Sequence, residues 1–163
     1  MSSTQCGVGH GRVLVDLKFK VSAHIARPVS EVFDAVADPA KLSGYFTTGG
    51  ARGRLETGAT VYWDFHDFPG AFPVEVQSVE PNRRIVLTWA AEDRNGAYPT
   101  TVVMAFEALE DGRTLVTISE SGWRETPEGL AASYGNCQGW MQMLCALKAY
   151  LEYGVNLREG MFK

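Results

Sequence analysis

The sequence has few cysteines, no run of basic residues and no long apolar segment. Its 15 lysines and arginines are outnumbered by 19 acidic residues, which gives a formal net charge of −4. Non-specific binding to nucleic acid requires a clustered positive surface, so we expect no nucleic-acid partner. No apolar run approaches the roughly 20 residues that span a bilayer, and residues 1–13 lack the charged and apolar regions of a signal peptide. We therefore expect a cytoplasmic protein without a membrane partner.

The cysteines do not indicate a disulfide framework. Their number is low and odd, at three: Cys6, Cys137 and Cys145. The last two lie eight residues apart on a predicted helix, which separates them by about 12 Å and excludes a bond. Neither the cysteines nor the three histidines show a metal-ligand spacing. We expect no metal site and no cofactor.

Length and composition predict one folded domain. The chain has 163 residues, of which 45% are hydrophobic and 21% charged, as is ordinary for a globular protein. Residues 1–11 are small and polar and are predicted as a flexible tail. Residues 12–163 show no repeat, linker or low-complexity stretch, and they are predicted as a single domain.

The first part of that domain predicts one strand followed by two short helices. Apolar residues fall on one parity from Val13 to Ile25, the period of a strand with one buried face. Helical spacing of apolar residues follows Pro28. Asp38-Pro39 is typical of an N-cap followed by a first-turn proline, so a second helix is expected to end near Gly44.

The middle of the chain predicts antiparallel strands joined by tight turns. Five segments between residues 59 and 123 alternate apolar and polar residues. A glycine-rich segment at 49–58 is predicted as a loop. The predicted turns lie at Pro69-Gly70, Pro81-Asn82, Asn95-Gly96 and Asp111-Gly112, of which the last two are the strongest hairpin signals.

A long apolar helix is predicted after Gly129, over the segment GNCQGWMQMLCALKAYLEYG at residues 135–154. Its apolar arc is wider than a helix on a flat surface needs. A curved sheet that wraps around the helix would account for that width. One apolar stripe contains Cys137, Trp140, Leu144, Leu147 and Leu151, and a second contains Met143, Ala146, Tyr150 and Tyr153.

Four segments in this order resemble the START-like (SRPBCC) superfamily and, within it, the AHSA-like family named for the C-terminal domain of a heat-shock-chaperone ATPase activator. They are ARPVSEVFDAVADPAKLSGYF, VEPNRRIVLTW, TLVTISESGW and GWMQMLCALKAYLE. Tyr45-Phe46 stands where the family usually has Trp-Phe. The resemblance implies an α+β helix-grip fold: a curved antiparallel sheet of about seven strands wrapped around a long C-terminal helix, with two short helices after strand 1.

The resemblance also implies a hydrophobic cavity between the sheet and the closing helix. Large apolar side chains could line that cavity for a small apolar molecule, or they could simply fill a core. The candidate ligand-binding residues are Tyr45, Phe46, Trp63, Phe65, Trp89, Met104, Phe106, Trp123, Trp140, Met143 and Leu147.

Glu120 is the candidate catalytic residue. It shares parity with inward-facing Val116 and Ile118, so its carboxylate could exchange a proton inside the cavity. Tyr45 or Arg124 could then orient it. Alternatively, the strand ends at this point and Glu120 meets solvent or an arginine.

Three functions follow. The first hypothesis is the binding of a small hydrophobic ligand, without chemistry. The second is an enzyme of the cyclase, dehydratase or hydrolase type that uses Glu120. The third is a chaperone-associated protein-interaction module, as the family name suggests. The superfamily hosts all these classes, so the fold does not choose among them.

Overall fold

The structure, a computed structural model, describes residues 15–163, and the tail predicted at residues 1–11 lies outside them. Ten elements follow the order expected from the sequence. They are β1 (Lys18–Ile25), α1 (Val29–Ala37), α2 (Pro39–Leu42), β2 (Gly50–Arg52), β3 (Thr60–Phe65), β4 (Phe68–Glu80), β5 (Arg84–Asp93), β6 (Gly96–Ala108), β7 (Thr114–Ser121) and α3 (Pro127–Tyr153).

The strands form one antiparallel sheet in the order β1-β7-β6-β5-β4-β3-β2. Alternate residues of the central strands face the core, as the period of two predicted. Val102, Met104 and Phe106 of β6 are buried, for example, and so are Val116 and Ile118 of β7. The α+β helix-grip fold expected from the sequence is therefore confirmed.

Two local predictions about the first strands need correction. The first strand begins at Lys18, and Val15 is exposed, so the alternating pattern is longer than the strand. Residues 50–52, within the predicted loop, form the edge strand β2 by pairing with β3. The short helix α2 is capped as predicted, because Asp38 accepts a hydrogen bond from the Ala40 backbone N–H at 2.8 Å.

The turn predicted at Pro69-Gly70 is wrong. The β3–β4 turn lies at His66-Asp67, and Phe65 pairs with Phe68 immediately after it. Pro69 and Gly70 lie inside β4, at an irregularity where the register between the two strands shifts. Proline and glycine are tolerated at such a bulge, so their presence did not mark a chain reversal.

The closing helix α3 begins earlier than predicted. Thr126 is its N-cap and accepts a hydrogen bond from the Gly129 N–H at 3.0 Å, with Pro127 in the first turn. The helix ends before Gly154, whose φ of 67° suits a left-handed C-cap. Both predicted apolar stripes face the core, except that Tyr153 is exposed. The buried members are Trp140, Met143, Leu144, Ala146 and Leu147.

We expect Leu144→Ala to lower the free energy of unfolding by about 3 kcal/mol, because it removes a fully buried side chain and leaves a cavity. Leu144 is 0% exposed, whereas Leu130, on the same helix, is 39% exposed. Leu130→Ala is therefore the control, with an expected loss below about 1 kcal/mol. Urea unfolding of both variants checks this. Equal losses would contradict the packing described for α3.

Candidate functional site

A cavity of about 320 Å³ lies beside α3. One wall is the helix face, and the others come from β3, β4, β5, the loop after α2 and the chain after α3. The volume lies at the lower end of the range for small-molecule sites. The lining residues are Phe46, Phe65, Phe68, Trp89, Gly135, Asn136, Gln138, Gly139, Trp140, Gln142, Arg158 and Phe162.

Aromatic rings from separate elements meet at the cavity wall. Phe46 stacks on Trp140 with ring centroids 5.6 Å apart, and the Trp140 and Trp89 centroids are 5.3 Å apart. Trp63 packs against Trp89 from the core side, at 5.9 Å. Because each ring is held by another ring, this wall is already formed without a ligand.

Glu120 lies behind this wall and is 1% exposed. Its Oε2 accepts hydrogen bonds from Trp89 Nε1 at 3.0 Å and from Thr100 Oγ1 at 2.8 Å. Its Oε1 accepts from Trp140 Nε1 at 2.7 Å. Asn136 Nδ2 donates to both oxygens, at 3.2 and 3.0 Å. An indole N–H can only donate, so the Glu120 carboxylate fixes the orientation of both tryptophans.

Glu120 faces inward, as its shared parity with Val116 and Ile118 predicted, but it does not line the cavity. The residue does not meet solvent or an arginine. The orienting partners suggested for it are also elsewhere: the Tyr45 hydroxyl donates to the Ala35 carbonyl at 3.0 Å. Arg124 pairs with Asp93 at 2.6 Å. Sequence reasoning missed Thr100 and Asn136, because neither a β6 threonine nor a helical asparagine carries a signal of its own.

A buried ion pair links the chain after α3 to the β3–β4 turn. Arg158 and Asp67 are both almost fully buried, and two hydrogen bonds join them, one of which is Nη2 to Oδ1 at 2.8 Å. The Arg158 guanidinium lies 5.4 Å from the Phe65 ring centroid and 4.8 Å from that of Phe162. Its hydrogen bonds hold the pKa of Asp67 below the ordinary value. This pair places Arg158 and Phe162 at the cavity.

A family model described as "Activator of Hsp90 ATPase homolog 1-like protein" matches residues 26–152, well over half of the chain. The chain belongs to this AHSA1-like family. The resemblance drawn from four sequence segments is thereby confirmed. No curated protein matches the chain in sequence.

Solved structures of similar fold support the family assignment. Protein SSP2350 from Staphylococcus saprophyticus is 28% identical with a TM-score of 0.72, and the match covers 86% of this chain and 96% of that one. DynU16, a protein of the dynemicin biosynthetic locus, is 26% identical with a TM-score of 0.73; the match covers 88% of this chain but only 50% of that one. The Aha1 dimer from Colwellia psychrerythraea, 23% identical with a TM-score of 0.70 over 84% and 97%, shows the fold alone.

The AHSA1-like fold separates the candidate ligand-binding residues into two groups. Phe46, Phe65, Trp89 and Trp140 line the cavity. The others do not line it, although Trp63 packs directly behind the wall. Phe106 packs on Phe33 and Trp123 stacks on Phe19, with centroids 5.4 and 5.5 Å apart. The remaining members of this group, all buried, are Tyr45, Trp63, Met104, Met143 and Leu147.

Phe68, Gln142, Arg158 and Phe162 also line the cavity, and the sequence did not indicate them.

Burial raises the pKa of Tyr45 well above its ordinary value, so this phenol stays protonated as a core hydrogen-bond donor. Within residues 15–163, no group of three or more His, Cys, Asp or Glu side chains could hold a metal ion. In the same part of the chain, no helix is long and apolar enough to cross a membrane.

We expect Glu120→Gln to lower the free energy of unfolding by about 2 kcal/mol. The substituted amide presents one oxygen and one NH₂ group, so one of the two indole N–H groups loses its acceptor. Tryptophan fluorescence should change as well, because the indole that loses its acceptor, Trp89 or Trp140, would no longer be held in place. Glu107→Gln, at an exposed position of β6, is the control. Unchanged unfolding and emission would contradict the orienting role of Glu120.

We expect the Asp67–Arg158 pair to make stability pH-dependent with a definite sign. The pKa of Asp67 is lowered in the folded state, so its contribution is complete above the ordinary Asp pKa of about 3.9 and is lost as pH falls through the folded value. The free energies of unfolding of the protein and of Asp67→Asn, measured in urea, should therefore differ at pH 6–7 and converge as the pH falls below the ordinary Asp pKa and through the folded value. A difference that is constant across this range would contradict the ion pair.

Proposed function

We propose that this protein binds a small, uncharged, largely apolar ligand in the cavity beside α3. The observation that carries the proposal is the preformed aromatic wall. Six of the lining residues are aromatic, each from a different element or connecting segment: Phe46, Phe65, Phe68, Trp89, Trp140 and Phe162. Aromatic side chains with a few placed polar groups are the usual lining of a small-molecule site.

The charges around the cavity favour an uncharged ligand. Arg158 is the one charged side chain among the lining residues of the described chain, and Asp67 neutralises it. Glu120 lies behind the wall, where its oxygens are occupied by Trp89, Trp140 and other donors. The polar groups that remain at the cavity are the side-chain amides of α3. An ionic ligand would lose its hydration without gaining a free counter-charge.

The family supports a small-molecule role in general terms. DynU16 comes from a biosynthetic locus, and this chain is similar to about half of it. Native mass spectrometry of protein purified from its own host, before and after denaturation, would identify a retained small molecule.

An enzyme that uses Glu120 is the second candidate. The observation in its favour is that the Glu120 carboxylate is hydrogen-bonded to Trp89, Trp140 and Asn136, which line the cavity. Five donor contacts meet its two oxygens, which leaves little capacity to take a proton from a ligand. We therefore assign Glu120 a positioning role and rank ligand binding first.

We expect Phe68→Ala to weaken binding of the fluorescent probe N-phenyl-1-naphthylamine by roughly tenfold, because an aromatic wall residue is removed. Phe68 is 60% exposed, so its loss should leave the fold intact. The matched control is Tyr134→Ala, a 67% exposed aromatic residue of α3 outside the cavity lining. A fluorescence titration of the three proteins measures this. The proposed site is wrong if the unmodified protein does not bind the probe. It is also wrong if Phe68→Ala binds the probe as tightly as Tyr134→Ala does.

A further inference from the structure

The helix α3 contains three glycines, although glycine in a helix interior is destabilising relative to alanine. Gly129 has a clear structural reason. A Cβ atom at this position would lie 2.0 Å from the Arg124 carbonyl oxygen, so only glycine allows the chain before α3 to approach so closely. This glycine is required by the fold.

Gly135 and Gly139 have no such reason. A Cβ atom at either position would meet no atom of the described residues within 4 Å outside the local helix. Neither has a left-handed backbone that would demand glycine, since both lie within regular helix. They are one helical turn apart, and both line the cavity. The two positions therefore leave a strip of helix backbone open to the cavity, with aromatic rings on the other walls.

Gln142 lies one turn beyond Gly139 and lines the same cavity. Its Nε2 atom is buried and has no hydrogen-bond partner among the described residues. Leaving a buried amide N–H group unpaired is unfavourable, and such groups are usually satisfied in folded proteins. The Nδ2 group of Asn136, by contrast, donates to both oxygens of Glu120. Gln142 thus lines the cavity and carries a buried donor that no described residue uses, and a rotation of its terminal amide would bring this donor to the cavity.

We propose that a flat ring of the ligand lies against the α3 backbone at Gly135 and Gly139, and that an oxygen of the ligand accepts a hydrogen bond from Gln142. This inference rests on the proposed function and specifies the class of ligand. The ligand class is an uncharged planar aromatic compound that carries a carbonyl, ether or hydroxyl oxygen at one end. The ring packs between the helix backbone and the aromatic wall, and the oxygen satisfies the unpaired amide.

The glycines are tested by Gly139→Ala and Gly135→Ala. In the absence of ligand, each should raise Tm by about 2 to 4 °C, because alanine favours the helix and its methyl group enters open space. Each should also weaken binding of 2-acetylnaphthalene by about tenfold, since the methyl group occupies the place of the ring. Quenching of tryptophan fluorescence reports binding, because Trp89 and Trp140 line the cavity. The control variant Tyr134→Ala should bind 2-acetylnaphthalene with unchanged affinity.

The hydrogen bond is tested by Gln142→Met with two probes of matched shape. The affinity for 2-acetylnaphthalene, which has a carbonyl acceptor, should fall by about three- to tenfold. The affinity for 2-ethylnaphthalene, which has none, should stay the same or rise. This difference between probes would not arise from a general loss of folding.

The outcomes separate this inference from the proposed function. If the unmodified protein binds both probes and the three helix variants bind them with unchanged affinity, the inference is overturned and the cavity remains a ligand site. Equal loss of both probes in Gln142→Met would overturn the hydrogen bond. If the unmodified protein binds neither probe nor N-phenyl-1-naphthylamine, the proposed function and this inference fail together.

Discussion

The hydrogen bonds of the buried Glu120 carboxylate join β7 to three other elements of the fold. The residue belongs to β7, and its partners lie on β5, β6 and α3. A buried carboxylate is costly unless its oxygens are satisfied, so these partners cannot move away independently. The helix is therefore fixed to the sheet by a directional contact as well as by apolar packing. The orientation of Trp89 and Trp140, and hence the shape of the cavity wall, depends on this group.

The packing of α3 changes along its length. Towards the C-terminal end of α3, Met143, Leu144 and Leu147 are fully buried, and helix and sheet form a closed core. Earlier in the helix, Gly135 and Gly139 present backbone only, and the space beside them remains open. One helix thus serves as core and as cavity wall, because its side-chain volume changes along its length. The Asp67–Arg158 pair completes the opposite wall by bringing the chain after α3 back to the β3–β4 turn.

The sequence predicted the elements well where local chemistry decides them. Asp38 before Pro39 predicted the cap of α2, and the period of two predicted which residues of the strands face inward. It failed where a local signal was overridden by pairing. Pro69-Gly70 has turn chemistry but lies in β4, because the register with β3 places the reversal at His66-Asp67. Of the candidate ligand-binding residues, only Phe46, Phe65, Trp89 and Trp140 line the cavity. Parity places a side chain inside the fold, but it does not distinguish a packed interior from an open one.

By itself, the sequence determined the α+β architecture, the inward face of each strand and the wide apolar face of the closing helix. These depend on periodicity, capping and turn chemistry, which act over a few residues. Tertiary structure alone decided that Glu120 meets two indoles, that Arg158 meets Asp67 across 91 residues of chain, and that Gly135 and Gly139 border a cavity. Those contacts join segments far apart in the chain, and no local pattern encodes them. They form only when the curvature of the sheet and the position of α3 bring the segments together.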